Sequence, residues 1–378
     1  MAAGNVPGKT PGVQGLQIKG GAAIVAPAQA FQNGMPPNAL VVVPLSKPTD
    51  ELKSKLEEGP LAVTPEQMWE MLGFNGPAVQ VMDDQGRPIA IGLDDLLGGL
   101  EKHWKENPGD LNRARVYAQE LLKHQRLQKA EQVLSKLVAK GGNGDDWLAL
   151  GIAQLQQEKL DKAEGTLKGA ANLLKKNPYP PLHLARLYGK KEEKDAEKEQ
   201  IDSALEIDPG CVDAWAYLFQ TVRDAKDEDA AVAAVEEKAK GQKNAAPYVA
   251  IQGFFAGKDE TRPKAIEFAK KGVEANSDDP IALLCLSALH GQNGDLESVI
   301  GLLSKHEAKM SSNVHLANNY FEALFQTRQI EKVTKLLNAL AGSPNKEVKT
   351  FAIQRSQAVA QFLQQQQQRL AGANANKA

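Results

Sequence analysis

Residues 145–170, DDWLALGIAQLQQEKLDKAEGTLKGA, constrain the folding of this chain more than any other stretch. Trp147, Leu150 and Gly151 are followed by Ala163, Leu167 and Ala170, a spacing that places small and apolar residues on one face of each of two short helices joined by a turn. Two such helices leave one side of their apolar surface open, so the segment requires neighbours of its own kind.

Sliding this pattern along the chain in steps of 34 residues finds them. One step on, Leu184, Ala185 and Tyr188 take the first-helix positions and Ile201, Ala204 and Pro209 complete the second helix and its exit. Two steps on, Trp215, Leu218, Ala231 and Val235 match. A further unit carries Gly253 and Ala265, with Phe268 one position early; another carries Leu283, Leu286 and Leu303, opened by Asp279 and Pro280 and turned by GQNGD at 291–295. Tyr320 and Leu337 mark the next, and upstream Tyr117, Ala118, Leu121, Ala130 and Leu134 fit a unit shifted by one residue.

The pattern W-x2-L-G, then A-x3-hydrophobe-x2-A, resembles the tetratricopeptide repeat family over about two-thirds of the chain. Gln154, Val222 and His290 stand where that family usually has Tyr. The resemblance implies a mainly all-α fold: a right-handed helical-repeat solenoid of about seven helix-turn-helix units over 106–346. A small N-terminal α/β hairpin-containing element is expected to precede it over 39–105, and a capping helix over 347–370 to follow it. Residues 1–38, rich in Gly, Pro, Ala and Gln, and residues 371–378 are read as a disordered arm and tail.

The reading of 39–105 rests on local signals. LVVVPL at 40–45 is a short strand candidate, and 49–58 is helix-like. Thr64 and Pro65 form a helix start. Val79 and Val81, then Ile89 and Ile91, alternate with other residues around a turn at 83–86, which predicts a hairpin. Its strands need a partner surface, so the element is expected to cap the first repeat. The competing reading makes it a small enzymatic or ligand-binding domain that the repeats target to its place.

Nothing in the sequence forms a catalytic constellation. Gly8, Lys9 and Thr10 imitate the end of a phosphate loop, but only three residues separate Gly4 from Gly8 and Pro11 occupies the helix start. Asp83 and Asp84 are turn residues without a neighbouring acid–base partner. The six histidines never stand four apart, and Cys211 and Cys285 belong to no metal-ligand spacing. Cys285, inside ALLCLSAL, reads as a buried core residue. No enzyme activity, cofactor or metal is expected.

Lys plus Arg (45) nearly balances Asp plus Glu (47), so no net field gathers nucleic acid. The KKEEKDAEKEQ run at 190–200 alternates its charges at helical spacing and reads as a solvated helix face. No apolar run approaches the roughly 18 residues needed to span a bilayer, and GAAIVAPAQA at 21–30 is too short in its apolar core for a secretory leader. The expected location is cytoplasmic.

In the family that the chain resembles, the first helix of each unit lines the concave groove. By register this implies a partner-binding set of Arg115, Gln119 and Lys123, then Arg186 and Lys190, Gln220 and Arg223, and Phe254 and Lys258. Several are basic, which suits an acidic or C-terminal peptide. Later units offer Gln292, Asn318, Glu322 and Phe325. The chain is thus expected to be a non-catalytic scaffold or adaptor for a protein or peptide partner, with self-association through its end units and glutamine-rich tail compatible with that role.

Overall fold

The computed structural model describes residues 13–18, 22–27, 40–44, 78–82 and 88–375. Five strands, β1 (Val13–Ile18), β2 (Ala22–Pro27), β3 (Leu40–Pro44), β4 (Ala78–Met82) and β5 (Pro88–Gly92), pair in the order β1-β2-β3-β5-β4. β4 and β5 run antiparallel with Val79 opposite Ile91, while β3 and β5 are parallel. β1 and β2 lie inside the 1–38 segment that was expected to be without structure, and Leu16 stands opposite Ile24 across them. The helices expected at 49–58 and from Thr64, and the turn at 83–86, fall outside the described residues.

The chain divides into two compact units, one up to Leu173 and one from Leu174. In the first, α1 (Leu93–Glu106) follows β5 directly. It is succeeded by α2 (Leu111–Lys123), α3 (Leu127–Ala139), α4 (Gly144–Gln156) and α5 (Leu160–Leu173). Leu93 and Leu97 of α1 join Tyr117, Leu121, Leu134 and Leu150 in a single core. The helix starts are set by short polar side chains that satisfy the free amides of the first turn. Asp110 accepts from the Asn112 and Arg113 amides, and Asn143 and Asp146 form a reciprocal capping box, with bonds of 3.0 and 2.8 Å.

Two glycines bring α4 and α5 together. A Cβ on Gly151 would lie 2.6 Å from Leu167 Cδ2, and one on Gly169 would lie 2.8 Å from the Trp147 ring. Both are close approaches that only a bare Cα permits.

The second unit contains α6 (Tyr179–Lys190), α7 (Lys194–Ile207), α8 (Val212–Ala225), α9 (Glu228–Ala239), α10 (Ala246–Phe255) and α11 (Arg262–Ala275). After these come α12 (Pro280–Gln292), α13 (Leu296–Leu303), α14 (Glu307–Met310), α15 (Val314–Gln326), α16 (Ile330–Ala341) and α17 (Lys346–Ala375). Proline stands in the first turn of α6, α10, α11 and α12, where its missing N–H is not needed. Trp215, Phe219, Phe255 and Phe268 fill one core of this unit; Tyr320, Phe321, Leu337 and Val348 fill another. The helix α17 runs to Ala375, past the boundary at 370 expected from the sequence.

A backbone signature recurs where paired helices meet. Gln125, Glu158, Glu192, Gly294 and Arg328 adopt positive φ between 56° and 74°. The next amide bonds back into the preceding helix in every case: Arg126 N to Leu121 O at 2.7 Å, Lys159 N to Gln154 O at 3.0 Å, Glu193 N to Tyr188 O at 2.9 Å, Asp295 N to His290 O at 2.9 Å and Gln329 N to Leu324 O at 2.8 Å. This is Schellman geometry, and four of the five residues accept it without being glycine.

The α10–α11 pair departs from the pattern. A 3-10 turn at Asp259–Thr261 lengthens the connection, and both Phe268 and Ala269 are buried. Ala269 holds the register position of Leu167, while Phe268 stacks on Phe255 with ring centroids 6.0 Å apart. The aromatic ring that falls one position early in sequence therefore fills the space between the helices beside a small residue.

Candidate partner-binding face

The first helices of three successive pairs in the second unit carry Arg186, Gln220 and Phe254, each 34 residues from the last. The Arg186 guanidinium lies 5.7 Å from the Tyr217 ring centroid, and that of Arg223 lies 4.6 Å from the Phe254 ring. Phe254 also meets Phe219 at 4.9 Å and remains 38% exposed. Gln220, Lys190 and Lys258 are exposed as well. Arg223 is additionally paired with Asp224 at 2.6 Å. These contacts make a face of guanidinium–aromatic pairs on α6, α8 and α10.

Buried chemistry supports this face from behind. The Tyr217 hydroxyl donates to Glu197 Oε1 at 2.7 Å, and Lys194 Nζ reaches the other carboxylate oxygen at 3.0 Å. Gly189 makes room for this bond, since a Cβ there would stand 2.6 Å from the Tyr217 hydroxyl. Burial pushes the Tyr217 pKa up, and the bond to Glu197 pushes it further. Glu197 is only 3% exposed, which corrects the reading of 190–200 as a wholly solvated face. The run is amphipathic in charge terms, but one of its acids points to a hydroxyl on the next pair of helices.

His183, one turn before Arg186, has its pKa lowered to about 4, chiefly by burial and secondarily by Arg186, with Asp213 opposing. Asp213 in turn accepts from the Tyr179 hydroxyl at 3.2 Å.

The remaining expected residues lie elsewhere. Arg115 makes a two-pronged bridge to Asp146, Nε to Oδ1 and Nη2 to Oδ2, both at 2.9 Å, and that bond raises the Arg115 pKa. Lys123 pairs with Glu120 at 3.4 Å, and Gln119 is exposed. In the second unit Asn318 and Glu322 are occupied by Arg355 of α17, at 3.2 and 3.1 Å, and Phe325 meets Phe362 at 5.2 Å. Cys285 is half-buried, less enclosed than its apolar surroundings suggest, and burial raises the pKa of both thiols.

Tyr217, Glu197 and Arg355 are contributors that residue-by-residue reading passes over. A signal for Tyr217 exists, because it shares a register with His183, 34 residues earlier. Glu197 and Arg355 have none, because their roles depend on which neighbouring helix they meet.

Among the described residues no group of His, Cys, Asp and Glu is arranged to hold a metal ion, and no helix is long and apolar enough to cross a membrane.

Paired helices on a 34-residue period, recurring left-handed turns and a glycine-closed helix pair define a helical-repeat architecture, similar to that of tetratricopeptide repeats. No family model matches the chain, and no curated protein matches it. Solved structures similar to it include yeast Tom70, at 15% identity over 72% of this chain and 59% of that one, TM-score 0.39. The hetero-tetramer Cut9-Hcn1 of the APC/C is similar at 14% identity over 61% of this chain and 46% of that one, TM-score 0.36. YrrB, a tetratricopeptide repeat protein with an unusual peptide-binding site, is similar at 18% identity over 49% of this chain and 95% of that one, TM-score 0.31. The chain thus spans less than two-thirds of the length of the first two. With TM-scores below 0.5, none of these likenesses bears on function.

Proposed function

We propose that this protein is a non-catalytic adaptor that holds a protein or peptide partner along the face formed by α6, α8 and α10. The observation that carries this reading is the pair of guanidinium–aromatic contacts, Arg186 on Tyr217 and Arg223 on Phe254, on a face where Phe254 stays exposed. Exposed aromatic rings beside arginine are the composition of interface anchors. The guanidinium of Arg186 favours an acidic segment, through hydrogen bonds strengthened by charge.

In this reading the 39–105 element caps the start of about seven repeats over 106–346, α17 covers the end, and the protein works in the cytoplasm. The alternative of a catalytic or ligand-binding N-terminal domain rests on the hairpin of β4 and β5 and its acidic turn at 83–86, and no observation favours it. The test is affinity capture with crosslinking from the native cell, comparing the wild type with the double variant Arg186→Glu and Arg223→Glu. Captured partners should be lost from the variant while its helical circular dichroism stays intact; unchanged capture overturns the assignment.

A further inference from the structure

A concavity of about 270 Å³ lies in the first unit, bounded by the end of α1, the start of α2 and the end of α3. Its walls are apolar: the Trp104 indole, Leu111, Val133 and Leu137. Three lysines, Lys105, Lys136 and Lys140, stand around it, and none of its lining residues is acidic.

The lysines differ in their partners. Lys105 is neutralised by Glu101 at 2.7 Å. Lys136 instead lies 5.5 Å from the centroid of the Trp104 ring, and Lys140 donates to the Pro108 carbonyl oxygen at 2.6 Å. Among the described residues neither has a carboxylate at ion-pair distance, whereas nearby Lys129 and Lys159 pair with Glu101 and Glu131. Their position at the end of α3 suits the negative pole of the helix dipole, which accounts for cations there. It does not account for one of them lying over an indole at the edge of an apolar hollow that the other also lines.

We propose that this hollow binds a small amphipathic monocarboxylate, an aryl or medium-chain alkyl carboxylic acid. Its apolar body lies against Trp104, Leu111, Val133 and Leu137, and its carboxylate sits between the Lys136 and Lys140 ammonium groups. The volume lies just under the roughly 300–1,000 Å³ of drug-sized sites, which selects a small ligand. Apolar walls with a few converging polar groups are the usual composition of such sites, and two ammonium groups without a carboxylate of their own supply the missing charge complement. This site is independent of the α6–α8–α10 face.

The test uses the full chain, with 3-phenylpropanoate and octanoate as probes, 3-phenylpropanamide as the neutral analogue, and saturation-transfer NMR with tryptophan fluorescence as readouts. Both carboxylates should bind and quench fluorescence, and the amide should bind roughly tenfold more weakly or worse. The double variant Lys136→Gln and Lys140→Gln, both exposed and therefore foldable, should weaken carboxylate binding by a similar factor. Trp104→Leu should abolish the quenching, and Lys332→Gln, at an exposed position of the second unit, should leave carboxylate binding unaltered. Absence of carboxylate binding, equal affinity for the amide, or unaltered affinity in the lysine double variant overturns the proposal.

Discussion

Gly151 and Leu167 approach each other so closely that a methyl group on the glycine would stand 2.6 Å from Leu167 Cδ2. Gly253 occupies the same register 102 residues on, yet a Cβ there would meet nothing within 4 Å, and Ala269 stands where Leu167 would. Adding a methyl should therefore have opposite effects at the two positions. Gly151→Ala should destabilise by about 1–3 kcal/mol through overpacking. Gly253→Ala should stabilise by about 0.5–1 kcal/mol through helix propensity. Guanidinium denaturation midpoints of the two variants decide the matter, and equal shifts of the same sign would refute the packing difference.

Asp146 is 4% exposed and serves both the capping box of α4 and the bridge from Arg115 on α2. Removing Arg115 leaves that carboxylate enclosed without its counter-charge. Because the arginine side chain is itself partly exposed, Arg115→Ala should cost roughly 2–3 kcal/mol, toward the low end for a broken buried pair. Arg115→Lys should recover only part of it, since an ammonium lacks the planar fork that meets both oxygens. Urea denaturation of the two variants measures the difference.

Glu158 and Arg328 hold φ of 60° and 58°, a region that disfavours any side chain with a Cβ. Replacing either with glycine should raise stability by up to about 1 kcal/mol, the release of strain exceeding the greater chain entropy of glycine in the unfolded state. Glu158→Val should lower it, because a β-branched residue tolerates the left-handed region least. Thermal midpoints of the glycine and valine variants should fall on opposite sides of the wild type.

The His183 pKa of about 4 lies below its ordinary value of 6.5. The unfolded chain therefore binds more protons than the folded one between those values, and stability rises with pH across that window. The contribution is fully present above about pH 6.5 and is lost as pH falls through about 4. His183→Gln, which has no titrating ring, should flatten this part of the stability profile. Denaturation midpoints measured from pH 4 to 8 should show the wild-type slope exceeding that of the variant.

The 34-residue repeat was readable because it is written in local chemistry. Leu150, Ala163, Leu167 and Ala170 recur at helical spacing, and all four are buried. Asp279 shows the same legibility at a helix start, since a capping side chain reaches only two or three residues along its own chain.

The charged residues were legible only as surface cations and acids. Arg115 and Glu197 both look solvated in sequence, yet one is bound to Asp146, 31 residues on, and the other to Tyr217, 20 residues on. Periodicity thus determined which residues form helices and which sides of those helices turn inward, because both depend on neighbours a few positions apart. Which charges remained available, and which aromatic rings they met, was decided by the stacking offset between successive helix pairs. That offset is a property of packed surfaces and leaves no mark at fixed spacing in the chain.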